Sequence, residues 1–154
     1  MKKSTFLIGC MTISLFVSCD SNTIMDENVN INKNAWAHAY KPTFDVHISD
    51  ISKKYDVWLN VRHTSHYPYS NLFILVHQKG ANTKLYTYKK ELKLADSYGK
   101  WTGNTAGSLY TKRSLIHKDY SFPDTGLYHF TFEQNMRDNP LLEVTDIGLN
   151  ITSK

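Results

Sequence analysis

No cysteine follows position 19 in this chain of 154 residues. Whatever folds beyond that point does so without disulfides and without thiol chemistry. No stretch keeps a helical period over ten or more residues, so an all-α or α/β body is excluded. No G-x-x-x-x-G-K-[ST] spacing is present. The glycines of Asp96 to Ser108 resemble a phosphate-binding loop in composition only, and no helix follows whose amides could hold a phosphate. Internal repeats are missing, no Ser, His and acid combination assembles in chain order, and no apolar run reaches the roughly 20 residues of a membrane-spanning helix.

What is present begins with a legible N-terminus. Lys2 and Lys3 precede the uncharged, mostly apolar run Ser4 to Ser18, and Cys19, Asp20 and a polar stretch follow. That order is the one an export signal uses. Leu7-Ile8-Gly9-Cys10 and Phe16-Val17-Ser18-Cys19 both resemble the small-residue box of a bacterial lipoprotein. Cleavage before Cys10 leaves too few apolar residues for a signal, whereas cleavage before Cys19 leaves a normal one. The expectation is a signal peptide over 1–18, an acylated Cys19 that ties the protein to the lipid bilayer, and a flexible tether through 35. A Cys10 to Cys19 disulfide is the bland alternative. Loss of Lys2 and Lys3 from 18 basic residues leaves 16 against 14 acidic, a balance that gives no reason to expect nucleic acid as a partner.

From 36 to 154 the chain reads as one domain of short alternating runs divided by turn residues. Phe44, Val46 and Ile48 share one face of a strand, and Val57, Leu59 and Val61 share another. Leu72 to Val76 is continuously apolar and is expected to be covered on both faces. Gly99 to Ser108 interrupts the pattern around Trp101, and Pro123 to Gly126 is a turn in which Pro fixes φ and Gly accepts a positive one. Tyr128, Phe130 and Phe132 then share a face, and a last strand is expected over Val144 to Thr152. Seven or eight strands with many aromatics point to an all-β, antiparallel β-sandwich of jelly-roll or immunoglobulin-like type, with a closed barrel as the alternative.

The chemistry-bearing clusters are few. His63 and His66 could offer two imidazoles to a metal, yet a site needs a third or fourth ligand. The neighbouring Tyr67-Pro68-Tyr69-Ser70-Asn71 has the composition of a turn, in which the histidines are incidental. Trp58, Tyr67, Tyr69 and Trp101 could stack on sugars if several lay coplanar and exposed, and core packing is the simpler use for most of them. No metal or cofactor is expected.

Three ordered stretches together resemble the gliding-motility lipoprotein GldH family of the Bacteroidetes. They are Arg62 with Tyr67-Pro68-Tyr69-Ser70-Asn71-Leu72-Phe73, then Leu94 to Gly103 continuing to Gly107, and Phe122 to Tyr128 extending through Gln134-Asn135-Met136-Arg137 to Leu149. Phe16 in the lipoprotein box and Asn104-Thr105 in the loop depart from the family pattern. The resemblance implies a lipid-anchored lipoprotein of the cell envelope, at the outer membrane. It implies an accessory part in gliding motility and the accompanying surface-protein secretion, with other envelope proteins as partners and no catalytic residues. A surface glycan-binding module is the alternative function. Arg62, Tyr67, Tyr69, Trp101 and Arg137 are the expected partner-docking residues, and Cys19 the lipid attachment.

Overall fold

The computed structural model describes residues 22–154; Cys10 and Cys19 lie outside the described residues. The strands are β1 (Thr23–Asn30), β2 (Ala35–Trp36), β3 (Thr43–Ile48), β4 (Tyr55–Thr64), β5 (Asn71–Gly80), β6 (Tyr86–Lys93), β7 (Asn104–Ala106), β8 (Leu109–Tyr120), β9 (Gly126–Gln134), β10 (Leu141–Leu142) and β11 (Val144–Ser153). A five-stranded sheet ordered β1-β11-β4-β8-β7 faces a four-stranded sheet ordered β3-β9-β5-β6, and β10 pairs with β2 as a small ribbon. All pairings are antiparallel. Two separate sheets with free edges make this an antiparallel sandwich and not a closed barrel.

Period-two patterning places the core between the sheets. Val57, Leu59 and Val61 of β4 and Ile147, Leu149 and Ile151 of β11 face Leu72, Ile74 and Val76 of β5 and Phe130 and Phe132 of β9, all fully buried. Trp36 and Phe44 close one end of this layer, and Tyr55, Phe122 and Tyr128 the other. At the second end Phe122 meets Tyr128 with ring centroids 4.6 Å apart and Tyr55 at 5.1 Å, within the range where edge-to-face pairs add to area burial.

Two expectations need correction. The segment read as a tether enters the sheet at Thr23: β1 runs antiparallel to β11 from Thr23 opposite Thr152 to Asn30 opposite Asp146. Its polar composition hid a period-two set, Met25, Val29 and Ile31, that packs against or within the core, while backbone pairing to β11 supplies the rest. The second correction concerns β5, which alternates after all. Leu72, Ile74 and Val76 are buried, whereas Phe73 and Leu75 are only half-buried on the outer face. Among the described residues no third layer covers that face; Lys89 reaches over the Phe73 ring instead, its ammonium 5.3 Å from the centroid.

Strand direction sorts the loops to two ends. The start of β1 and the ends of β3, β5, β8 and β11 share one end with the 49–54, 81–85 and 121–125 connections. Loops 65–70, 94–103 and 135–140 gather at the opposite end.

Candidate functional site

The loop end is organised by a buried histidine. β4 alternates inward at Tyr55, Val57, Leu59, Val61 and His63, so the strand's last inward position carries an imidazole with no solvent exposure. Its ring lies 4.7 Å from Trp101, 5.4 Å from Tyr67 and 5.6 Å from Tyr110, stacked on the last. Nδ1 stands 2.8 Å from the Thr64 carbonyl. A carbonyl can only accept, so Nδ1 carries the proton and Nε2 is a bare lone pair, which has no partner among the described residues. Burial pushes the imidazole's pKa down, partly offset by the bond to Thr64.

Around that knot the loops are tightly stitched. Tyr67 donates its hydroxyl to the Asn71 carbonyl at 3.0 Å, and the amides of Leu94 and Ala95 donate to the Ser70 carbonyl at 2.8 and 3.0 Å. The Asp96 carboxylate accepts the amides of Tyr98 and Lys100, both at 2.9 Å. With Gly99 at φ +80° this closes a turn that returns Trp101 to bridge Ala95. Gly103 follows at φ +111°, where a Cβ would strike the Thr111 carbonyl; only glycine passes β8 this closely.

The expected docking residues do not form one patch. Tyr67 is 3% exposed and cannot present a contact surface, because its ring is the packing partner of His63; its hydroxyl is held well above its usual pKa by burial first and by Tyr69 and Asp138 after. Trp101 is half-buried against the same histidine. Arg62 points from the outer face of the five-stranded sheet, 3.5 Å from the Asp146 carboxylate and 3.3 Å from the Thr111 hydroxyl. Tyr67 stands edge-on to Tyr69 with ring centroids 6.0 Å apart, and Tyr69 and Arg137 share a shallow cavity of about 370 Å³ that also takes Phe73, Asn135 and Met136. Tyr69 is fixed there by a 2.6 Å bond to Asp138, which raises the phenol's pKa.

The histidine reading also changes. His66 is exposed and His63 is buried, so the two do not converge on a common ion. His63, far from incidental, is the centre about which three aromatic rings pack. Its role was legible only as the inward continuation of β4 beyond Val61. Among the described residues no group of three His, Cys, Asp or Glu side chains gathers.

The four aromatics considered for glycans do not form one platform: Tyr67 is buried, Trp101 lies against His63, Tyr69 stands edge-on to Tyr67, and Trp58 sits on another face beneath the Arg113 guanidinium at 4.3 Å. A cavity of about 530 Å³ is lined by Asn30, Asn32, Lys33, Ala35, Ala37, Tyr40 and Pro140 and brings no nucleophile against a base.

A family model described as GldH lipoprotein matches residues 23–151, which is nearly every described residue. The chain is similar to a gliding motility lipoprotein GldH homolog of Christiangramia forsetii, 29% identical over 151 residues that cover 94% of this chain and 92% of the relative. It is also similar to the gliding motility lipoprotein GldH of Flavobacterium johnsoniae, 30% identical over 161 residues that cover 99% and 98%. No solved structure matches.

Proposed function

The chain belongs to the GldH lipoprotein family, and from that premise we propose that it is an envelope lipoprotein, acylated at Cys19, that serves a gliding-motility system as a non-enzymatic accessory part. The observation that carries this reading is the extent of the likeness. It covers the loop end as well as the strands, and so includes the surface through which a docking protein acts. The geometry supports docking over chemistry: the loops are locked around a buried aromatic knot and present Tyr69, Phe73, Met136 and Arg137 as a preformed, partly apolar surface with a cation at its rim. Attachment at the outer membrane and a link to surface-protein secretion belong to the same proposal.

Gene deletion tests it, with colony spreading and export of surface proteins as the two readouts. Loss of both, restored by the native gene, is the expected result; intact spreading and export together count against the proposal. Complementation with Arg137→Glu combined with Tyr69→Ala, at unchanged protein level, should restore neither, because this change removes the rim cation and the fixed ring while His63 keeps its packing against Trp101, Tyr67 and Tyr110.

A further inference from the structure

The end of the sandwich at which β1 begins carries a surface unlike the rest of the molecule. Eight large hydrophobic side chains are exposed among the described residues, and five of them, Ile24, Ile51, Leu85, Tyr86 and Leu127, lie at this end. Ile51 and Leu85 stand on the connections β3 to β4 and β5 to β6, 49% and 60% exposed. Scattered singly such residues are ordinary, but their concentration at one end, rimmed by polar side chains, marks an interaction surface.

The charges at this end are arranged to suit an anionic surface. Lys154 lies 2.9 Å from Asp56 and 2.7 Å from Asp119, so that one ammonium is shared between two carboxylates. Asp50 accepts the amide and hydroxyl of Ser52 at 2.9 and 2.6 Å, which favour its ionised form, so Asp50, Asp56, Asp119 and Asp124 stand against Lys53, Lys54, Lys84, Lys118 and Lys154 at this end. Lys53 and Lys84, adjacent to Ile51 and Leu85, are exposed and have no ion-pair partner among the described residues. Each apolar tip therefore has a cation one or two residues away, the order in which an interfacial segment buries its apolar side chain and keeps an ammonium at headgroup level.

The length of chain before the domain decides what meets this face. Three residue steps separate Cys19 from Asn22, a reach of at most about 11 Å, and Asn22 is already tied to the sheet by the amide of Ser153 at 2.7 Å. We infer that this end of the sandwich rests directly on the bilayer that holds the acyl anchor, with Ile51 and Leu85 dipping into the interface and Lys53 and Lys84 at its phosphates. The inference rests on acylation at Cys19. It turns the molecule so that loops 65–70, 94–103 and 135–140 stand a full strand length from the membrane, about 33 Å for ten residues.

The test uses the full acylated chain, whose folded part has no cysteine, in vesicles of phosphatidylethanolamine and phosphatidylglycerol. Spin labels are placed singly through Ile51→Cys, Leu85→Cys and, at the opposite end, Tyr98→Cys. Labels at 51 and 85 should be several-fold less accessible to a water-soluble nickel chelate, and more accessible to oxygen, than the label at 98. Equal access at all three while the protein floats with the vesicles overturns the orientation and leaves the anchor standing. A chain that does not float overturns the anchor and the orientation with it. Shielding at 51 and 85 that persists in vesicle-free Cys19→Ser protein assigns this face to a second copy of the chain and overturns the bilayer as its occupant.

Discussion

His63 Nε2 is an acceptor with no donor among the described residues, held in the middle of three aromatic rings. An unsatisfied buried acceptor costs about 1–3 kcal/mol, and each aromatic contact returns roughly 0.5–1.5 kcal/mol, so the imidazole is tolerated for its shape as much as for its one bond. Burial depresses its pKa below 6.5, and His117, beside Tyr88 and the ammonium of Lys90, is depressed in the same direction. The unfolded chain then binds protons that the native one refuses. Stability is therefore greatest above 6.5 and falls as the pH drops below that value toward the depressed native pKa, by at most about 1.4 kcal/mol per pH unit for each ring. Chemical denaturation at a series of pH values measures the slope. His63→Phe should leave stability at neutral pH within about 1 kcal/mol of the parent, the lost Thr64 bond offsetting the relieved acceptor, and should flatten the acid slope; an unchanged slope would assign the titration elsewhere. Gly103→Ala carries a different cost: positive φ and the Thr111 carbonyl both oppose a methyl. We expect a loss of about 1–3 kcal/mol, seen as a lower denaturant midpoint.

β1 shows how an element escapes a reading by composition. Thr23 to Asn30 is rich in Asn, Asp and Glu, its side chains are mostly exposed, and nothing in its average hydrophobicity separates it from a linker. What makes it a strand is the open edge of β11, whose backbone groups need partners, and Asn28, which leans over Gly148 where no Cβ stands in its way. Truncation to a chain beginning at Ile31 should uncover that edge. The half-buried Met25 and Val29 alone account for about 2–3 kcal/mol, and the bared β11 should promote self-association. Thermal melting and sedimentation of the truncated protein check both; an unchanged melt and a monomer would return β1 to the status of a linker. β5 erred in the other direction, since an unbroken apolar run looks the same whether its second face is covered by a layer or only by Lys89 and Met136. Strands whose two faces differ sharply, β3, β4 and β9, were readable directly as period-two patterns.

At the scale of the whole molecule, strand direction turns a list of loops into two working ends. The proposed membrane-facing end and the proposed docking surface fall at opposite poles because β1 enters beside the end of β11 and the 65–70 and 135–140 loops close the far side. Cys19→Ser should move the protein from the membrane to the soluble fraction without changing its melting temperature, since the described sheets and their core are built from Thr23 onward. Cys10→Ser should leave the fractionation as it was. Membrane flotation of the two variants side by side distinguishes them, and the reverse pattern would place the processing site at Cys10.

The sequence by itself determined the class of the fold, the strands with one greasy and one polar face, the turn residues between them and the family, because each is written in local order: a period of two, a Pro or Gly at a bend, an ordered set of motifs. Of the residues expected to dock a partner, Tyr69 and Arg137 line one cavity, whereas Tyr67 and Trp101 pack against His63, since a turn's composition does not say which of its rings meets a buried imidazole. Only the tertiary structure decided that His63 ends the inward face of β4, that the supposed tether is an edge strand, and which loops share an end. Those are consequences of which backbone edges and which faces meet, and such long-range pairing leaves no periodicity within any one segment.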